Sequence, residues 1–408
     1  MRLNPFRAVC PPPDLAPQVA SVPYDVVNRG EAAELARGNP HSFLHVGRSD
    51  IDLPEDLDPH DSRIYRRARE ALDELLARGT LLRDPEPRLF VYRQIMDGRP
   101  QTGVVGCVHV DDYEHDVIRK HEKTRQDKED DRTRHVLTLN ANAEPVFLTY
   151  RGRVEIDRMV EAITPTAPLY DFTAPDGVRH TVWQVPDSWA LARTFDPVPL
   201  AYVADGHHRS ASAWRAGKEL RAGNPSHRGD EEYNWFLAVL FPSDQLRILP
   251  YNRVVRDLNG QTPARVLERL SGLGKLSPAT DPVPERSGVF CVFLDGRWQR
   301  LELDPAGIDR SDPIASLDVS LLQDRVLSPI LGIGDPRTDK RIDFVGGIRG
   351  TAELERRVRS GEMAIAFSLF PTTLDQLMAV SDAGHVMPPK STWFEPKLRS
   401  GLFVHELS

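Results

Sequence analysis

The sequence predicts an α/β protein of mixed α+β character. Contiguous apolar runs at 200–204 and 235–241 have the length of fully buried strands. Residues 62–78 place Ile64, Ala68, Leu72, Leu75 and Leu76 at helical spacing ahead of Gly79, the pattern of an amphipathic helix with a stop signal. Strand candidates at 88–94 and 103–110 flank Asp97-Gly98, a dipeptide suited to a tight hairpin. Helical and strand periods therefore share one chain.

The remaining elements follow in order. A strand-like stretch at 22–27 is interrupted by Pro23, and a helix is expected at 31–37. After the hairpin comes a densely charged run at 119–135, then a strand at 145–150, a helix at 154–163 and a strand at 180–185. The buried strand at 200–204 is closed by Asp205-Gly206 and followed by a helix over 207–217 rich in Ala and Ser. Beyond about 260 the composition changes. A helix at 263–273, strands at 288–294 and 298–303, a helix at 316–326, and alternating elements over 341–370 suggest a smaller α+β unit. A polar-aromatic loop at 387–398 precedes a last strand at 401–406.

A chain of 408 residues exceeds one ordinary core. Three regions are expected: 1–115, an N-terminal α+β region; 116–260, a core carrying the charged run and the Asp205-Gly206 turn; and 261–408, a C-terminal α+β region. The formal charge of -8 argues against a nucleic-acid partner, which usually meets a basic face, but leaves a small anionic ligand open. Cys10, Cys107 and Cys291 are scattered, with no CxxC pair, so neither a disulfide framework nor a cysteine zinc site is indicated. No apolar leader opens the sequence, and the apolar runs are far shorter than a membrane span. The expectation is a cytoplasmic protein with a small-molecule partner and no membrane partner, homo-oligomerisation being left open.

The densest chemistry is Asp205-Gly206-His207-His208-Arg209. Glycine permits a sharp turn, and the first N–H groups of the helix that follows have no internal partners, so an anion is favoured there. His207 and His208 add donors, Arg209 can grip a phosphate with its fork, and Asp205 would suit magnesium or a hydroxyl. The plainer reading is an Asp N-cap beside exposed histidines. A third reading takes Asp205, His207 and His208 as metal ligands, although adjacent histidines point apart.

The charged run packs His121, Glu122, Lys123, Thr124 and Arg125 together. A glutamate among cations stays ionised, which suits a general base or a magnesium ligand. The plainer reading is a solvated helix, and the run has no apolar stripe with which to dock. The loop with Lys390, Ser391, Thr392, Trp393, Phe394 and Lys397 could close over an anion or stay a surface loop. No G-x-x-x-x-G-K-[ST], dinucleotide fingerprint or G-x-S-x-G elbow occurs.

Pro5-Phe6-Arg7, Pro23-Tyr24-Asp25-Val26, His121-Glu122-Lys123-Thr124, the Asp205–Arg209 turn and Met387-Pro388-Pro389-Lys390-Ser391-Thr392 together resemble a bacterial and archaeal family known as domain of unknown function 1015. The turn is also similar to the nucleotide-handling turn of the ParB/sulfiredoxin-like superfamily, some members of which are kinases of free serine. That resemblance implies a ParB-like nucleotide-binding core with N- and C-terminal additions. It implies a nucleotide-dependent phosphotransferase acting on a small hydroxylated metabolite such as free serine, with ATP or ADP (or CTP) and magnesium. Glu122 would be the base, with His121 beside it. Asp205, Gly206, His207, His208 and Arg209 would bind phosphate, supported by Lys123, Thr124, Arg125 and Lys390, and Asp205 and Glu122 would hold the metal. Here 83 positions separate Glu122 from Asp205, a longer interval than in those kinases. The alternatives are a ParB-like nucleotide switch without metabolite kinase activity and a metal-dependent hydrolase using Asp205, His207 and His208.

Overall fold

A computed structural model describes residues 1–408. The fold is mixed α/β, in two compact units: residues 1–246 with 396–408, and residues 247–395. The first unit is organised by a nine-stranded sheet. Its strands are β1 (Leu3–Asn4), β2 (Phe90–Met96), β3 (Arg99–His109), β4 (Ile118–Arg119), β5 (Val146–Tyr150), β6 (Tyr170–Thr173), β7 (Arg179–Gln184), β8 (Ala201–Asp205) and β9 (Trp235–Pro242). They lie in the order β4-β8-β5-β9-β3-β2-β7-β6, with β1 paired to β3. β9 binds β3 on one side and β5 on the other, so strands from both sides of residue 115 share one sheet. A boundary drawn there from composition would cut through backbone pairing. The second unit begins at Arg247 rather than near 260, and the chain returns to the first unit at Pro396.

The hairpin forms as read. Asp97 and Gly98 both take positive φ, 51° and 75°, between the paired residues Met96 and Arg99. This is the two-residue turn whose twist matches the flanking strands. α1 (Ser62–Ala77) buries Ile64, Ala68, Leu72 and Leu75 along one face, and Asp61 caps its N-terminus by accepting from the Arg63 N–H at 2.8 Å. No strand forms over 22–27. Pro23 has no N–H to donate, and the Tyr24 N–H is spent on the Glu144 carboxylate at 3.2 Å rather than on a neighbouring strand.

The charged run divides into β4, an irregular segment and α2 (Gln126–Leu139). The expectation that a helix here could not dock is corrected. α2 buries Thr133, His135 and Leu139 and docks mostly through polar groups. Burial pushes the His135 imidazole down to about 3, and its Nε2 lies 3.1 Å from the Val46 carbonyl, so a neutral ring donates there. The Arg132 guanidinium stacks 4.2 Å over the Tyr24 ring. An apolar-stripe criterion misses a helix held this way.

α3 (His207–Gly223) runs past the expected end at Gly217. Ser210, Ala211, Ser212, Ala213, Ala216 and Gly217 are buried, and the Ser212 hydroxyl donates to the Glu129 carbonyl of α2 at 3.3 Å. Small side chains allow that approach. At Gly217 a Cβ would stand 2.5 Å from the Tyr233 carbonyl oxygen.

The second unit holds an antiparallel sheet of β10 (Tyr251–Val255), β11 (Gly274–Pro278), β12 (Val289–Leu294), β13 (Arg297–Leu303), β14 (Ile342–Gly346) and β15 (Ile365–Leu369), ordered β11-β13-β12-β15-β10-β14. Alternate residues build two cores: Phe290, Val292, Ile365 and Phe367 on one face, Val254, Phe293, Val345 and Ala366 on the other. The last strand, Val404–Glu406, pairs with Ala8–Cys10 and Ala141–Asn142 in the first unit. No helix is long and apolar enough to cross a membrane.

Helix propensity alone would make Gly217→Ala stabilising by about 1 kcal/mol. The clash with the Tyr233 carbonyl outweighs that gain, so the substitution should destabilise the protein by roughly 1–3 kcal/mol. Urea unfolding monitored by circular dichroism checks the sign.

Candidate functional site

β4 and β8 run parallel, with Ile118 opposite Ala201 and Arg119 opposite Tyr202. Their carboxyl ends leave the sheet side by side. β5 runs antiparallel to β8, so the Glu144-Pro145 segment that precedes it arrives at the same end. Strand pairing thus closes the 83-residue gap between the charged run and the turn. The rings of His121 and His207 meet edge to face, 4.4 Å between centroids. Glu122 follows His121 directly, about 3.8 Å away along the backbone, and is exposed.

The end of β8 carries a bulge. Val203 faces Leu148 and Asp205 faces Phe147, leaving Ala204 as the extra residue that re-aims Asp205. Gly206 then takes φ 93°, and a Cβ there would stand 3.0 Å from Arg209 Nε. Both the left-handed backbone and the close guanidinium require glycine. No side chain caps α3, whose ladder begins with the Ser210 N–H donating to the Gly206 carbonyl at 2.9 Å. The N–H groups of His207, His208 and Arg209 precede that first bond.

Lys397 donates to Asp205 Oδ1 at 2.9 Å, and Arg209 Nη2 donates to Oδ2 at 2.6 Å. Burial pushes the Asp205 carboxyl up, but the Lys397 ammonium and the Arg209 guanidinium outweigh it and hold the group below the usual carboxylate range. Magnesium does not fit this carboxylate, because each oxygen already faces a cation. The hydrolase alternative loses its donor set too, since no three His, Cys, Asp or Glu side chains converge to hold a metal ion.

The role expected for Arg209 is also corrected. Its side chain is buried, with Nη1 donating to the Pro145 carbonyl at 2.5 Å and Nη2 to Asp205, and Asp25 stands 3.8 Å away. The fork that could grip a phosphate is spent on fixing the turn, and only Nε lacks a partner.

His121 and His207 are 2% and 6% exposed. Burial pushes His121 down to about 4 and His207 well below its ordinary value, so both rings are neutral near pH 7. His207 Nε2 has no hydrogen-bond partner. Neither nitrogen of His121 makes a well-formed bond, although the Val203 carbonyl stands nearby. His208 is half-buried, its pKa is lowered by burial, and its Nε2 accepts the Arg125 N–H at 3.2 Å. Thr124 donates to Glu129, Arg125 pairs with Asp127 at 2.7 Å, and Lys123 is exposed.

Other residues of the turn's surroundings went unread. Lys397, not Lys390, is the residue of the polar-aromatic loop that reaches Asp205. Lys390 belongs to the second unit, with its ammonium 5.6 Å over the Tyr251 ring. Glu144 is a half-buried residue, and desolvation raises the pKa of its carboxyl. It accepts from the Tyr24 N–H and the Ser400 hydroxyl, each at 3.2 Å. Behind the turn a small cavity of about 30 Å³ is lined by Arg132, His135, Asn142, Glu144, Arg209 and Ser212, with apolar neighbours. Pro23-Tyr24-Asp25 was visible as a motif, and an acidic residue before Pro145 in an apolar stretch was the available signal for Glu144.

Protein of unknown function (DUF1015) is the family description that matches residues 3–320. The chain belongs to this family. Within the matched span, the DUF1015 segments around Tyr24, His121 and Asp205 meet at one end of the sheet. The Met387–Thr392 segment lies beyond that span. No curated protein matches the chain. Solved structures similar to it include a free serine kinase in complex with AMP, at 15% identity over 74% of this chain and 91% of that one, with a TM-score of 0.35. SbnI with a C-terminal truncation, from Staphylococcus aureus, is similar at 12% identity over 74% and 87%, TM-score 0.39. A conserved hypothetical protein from Pyrococcus furiosus is similar at 14% identity over 74% and 95%, TM-score 0.34. Likeness this remote assigns no chemistry to the chain.

The buried neutral imidazoles set a pH dependence. Unfolded, His121 binds its proton near pH 6.5; folded, it resists protonation down to about 4. The unfolded state therefore holds more protons between these values, and stability is full above pH 6.5 and lost as pH falls toward 4. Burial lowers His135 and His180 in the same direction, each to about 3. Urea midpoints should fall from pH 7 to pH 5, and His121→Gln should flatten the slope by up to about 1.4 kcal/mol per pH unit.

Proposed function

We propose that the turn binds the phosphates of a nucleotide and that the protein transfers a phosphoryl group to a small hydroxylated metabolite. The observation that carries this is an uncapped N-terminus on a 17-residue helix, placed beside a buried imidazole nitrogen with no partner. Helix N-termini favour anions through their free N–H groups and the positive end of the dipole. A buried polar atom left unpaired costs about 1–3 kcal/mol, which a ligand oxygen at His207 would recover. Lys397 supplies the positive charge. Arg209 and Asp205 act as positioning residues, fixing Gly206 so that the N–H groups face outward.

The nucleotide reading draws on the ParB/sulfiredoxin-like character of the Asp205–Arg209 motif, with ATP or ADP as donor, CTP as an alternative and free serine as a candidate acceptor. The acceptor hydroxyl oxygen bonds to the terminal phosphorus and the phosphoanhydride bond breaks. The nucleotide leaves one phosphate shorter, and the hydroxyl proton passes to a carboxylate. Glu122 is proposed as that base, because it follows His121, whose ring packs on that of His207. One observation favours a rival. Asp25, with its side chain 40% exposed, stands 3.8 Å from Arg209 at the same site.

Calorimetry of the purified protein with ATP, ADP and CTP should detect binding, and Lys397→Met should weaken it at least about tenfold. Absence of nucleotide binding would sink the proposal. Glu122→Gln should retain nucleotide affinity and lose about 10²–10⁴-fold in phosphorylation of the acceptor. A full rate in Glu122→Gln with a loss in Asp25→Asn would transfer the role to Asp25. Nucleotide hydrolysis without any phosphorylated metabolite would identify a ParB-like switch instead.

A further inference from the structure

The chain re-enters the first unit at Pro396, and Lys397, one residue on, is the group that reaches Asp205. Residues 397–399 belong to no strand or helix. The nearest backbone pairing is the bridge between Ser400 and Ser21. Leu398 is buried, but apolar contact has no direction and tolerates sliding. Another device must fix which residue stands at the turn.

Under this segment the sheet carries a polar row. Gln101, Gln94, His180 and Phe172 stand directly opposite one another on β3, β2, β7 and β6. The three polar members are 3% exposed or less. Gln101 Nε2 donates to Gln94 Oε1 at 3.0 Å, and Gln94 Nε2 donates to the Lys397 carbonyl at 2.8 Å. Arg399 Nε donates to His180 Nε2 at 3.2 Å, which leaves the neutral ring's proton on Nδ1, 2.7 Å from the Tyr92 hydroxyl. Asp176 takes the other side of the Arg399 guanidinium. A buried amide is costly unless it is bonded, so apolar residues would fill this row more simply. What amides and imidazole add is direction, one set of bonds for one placement of the segment.

We infer that Gln94, Gln101, His180 and Arg399 are positioning residues that set the register of the returning segment and so deliver the Lys397 ammonium to Asp205. A slip of one residue would present Pro396 or Leu398 there, neither of which carries a charge. Only the consequence for ligand binding rests on the nucleotide role proposed for Lys397. Acetic anhydride labelling of the full chain, read by mass spectrometry, reports the placement without any ligand. Lys397 should label at least about tenfold more slowly than the exposed Lys128, because a charge-assisted bond occupies its ammonium. Gln94→Leu with Gln101→Leu removes both amides together, a change close to neutral for stability. That double variant should keep its urea midpoint, label Lys397 at least about fivefold faster and lose nucleotide affinity as Lys397→Met does. Asp176→Asn, at a half-exposed carboxylate, decides the matter if the double variant fails to fold, with the same rise in labelling expected. Lys397 labelling unchanged in a folded variant overturns the inference, as does a rise that merely follows a fall in the urea midpoint. Faster labelling with nucleotide affinity intact supports the positioning and removes Lys397 from nucleotide binding.

Discussion

The Asp205 carboxylate, held between the Lys397 ammonium and the Arg209 guanidinium, is the constraint around which the first unit's turn is built. It ties the returning C-terminal segment to the end of β8, and through Arg209 it reaches the Pro145 carbonyl at the start of β5. A partly buried ion pair of this kind contributes little net stability, yet removing one partner is costly because a desolvated charge is then left alone. Its value lies in geometry. Gly206 makes the left-handed turn into α3 beneath the Arg209 guanidinium, and as the N-cap it has no side chain with which to cap the helix.

The same constraint redistributes roles among charged residues. An arginine at a helix N-terminus looks like a phosphate ligand, but an Asp four residues earlier claims it. What remains open to a ligand is backbone N–H and neutral imidazole, beside the Lys397 ammonium that pairs with Asp205. Neutral donors and a dipole attract a phosphate without the charge repulsion that a packed cluster of cations would create during folding. The histidines are neutral for a physical reason, since burial disfavours their charged forms more than Asp205 favours them.

Much of the fold was legible because it rests on short-range chemistry. The hairpin at Asp97-Gly98, the stripe of α1 and the apolar strands β8 and β9 each follow from local sequence. Elements that depend on distant partners were missed. β10 and β11 mix polar and apolar residues and acquire their pairing only from β14, β15 and β13. α2 has no apolar stripe, and only the arrival of Tyr24, Val46 and Ser212 gives its polar face something to dock against.

By itself the sequence determined the turn. A buried strand, a glycine free to turn left-handed and a helix of small residues are local facts, and the anion preference of that helix end follows from them. Tertiary structure alone decided what surrounds it. Parallel pairing of β4 with β8 brought His121 onto His207 across more than 80 residues. The returning chain supplied Lys397 where the sequence pointed to Lys390. Ion pairing turned Asp205 from a metal ligand into an anchor. The physical reason is one of range: backbone conformation is set by neighbours in sequence, whereas charge compensation is set by whichever groups folding brings within a few ångströms.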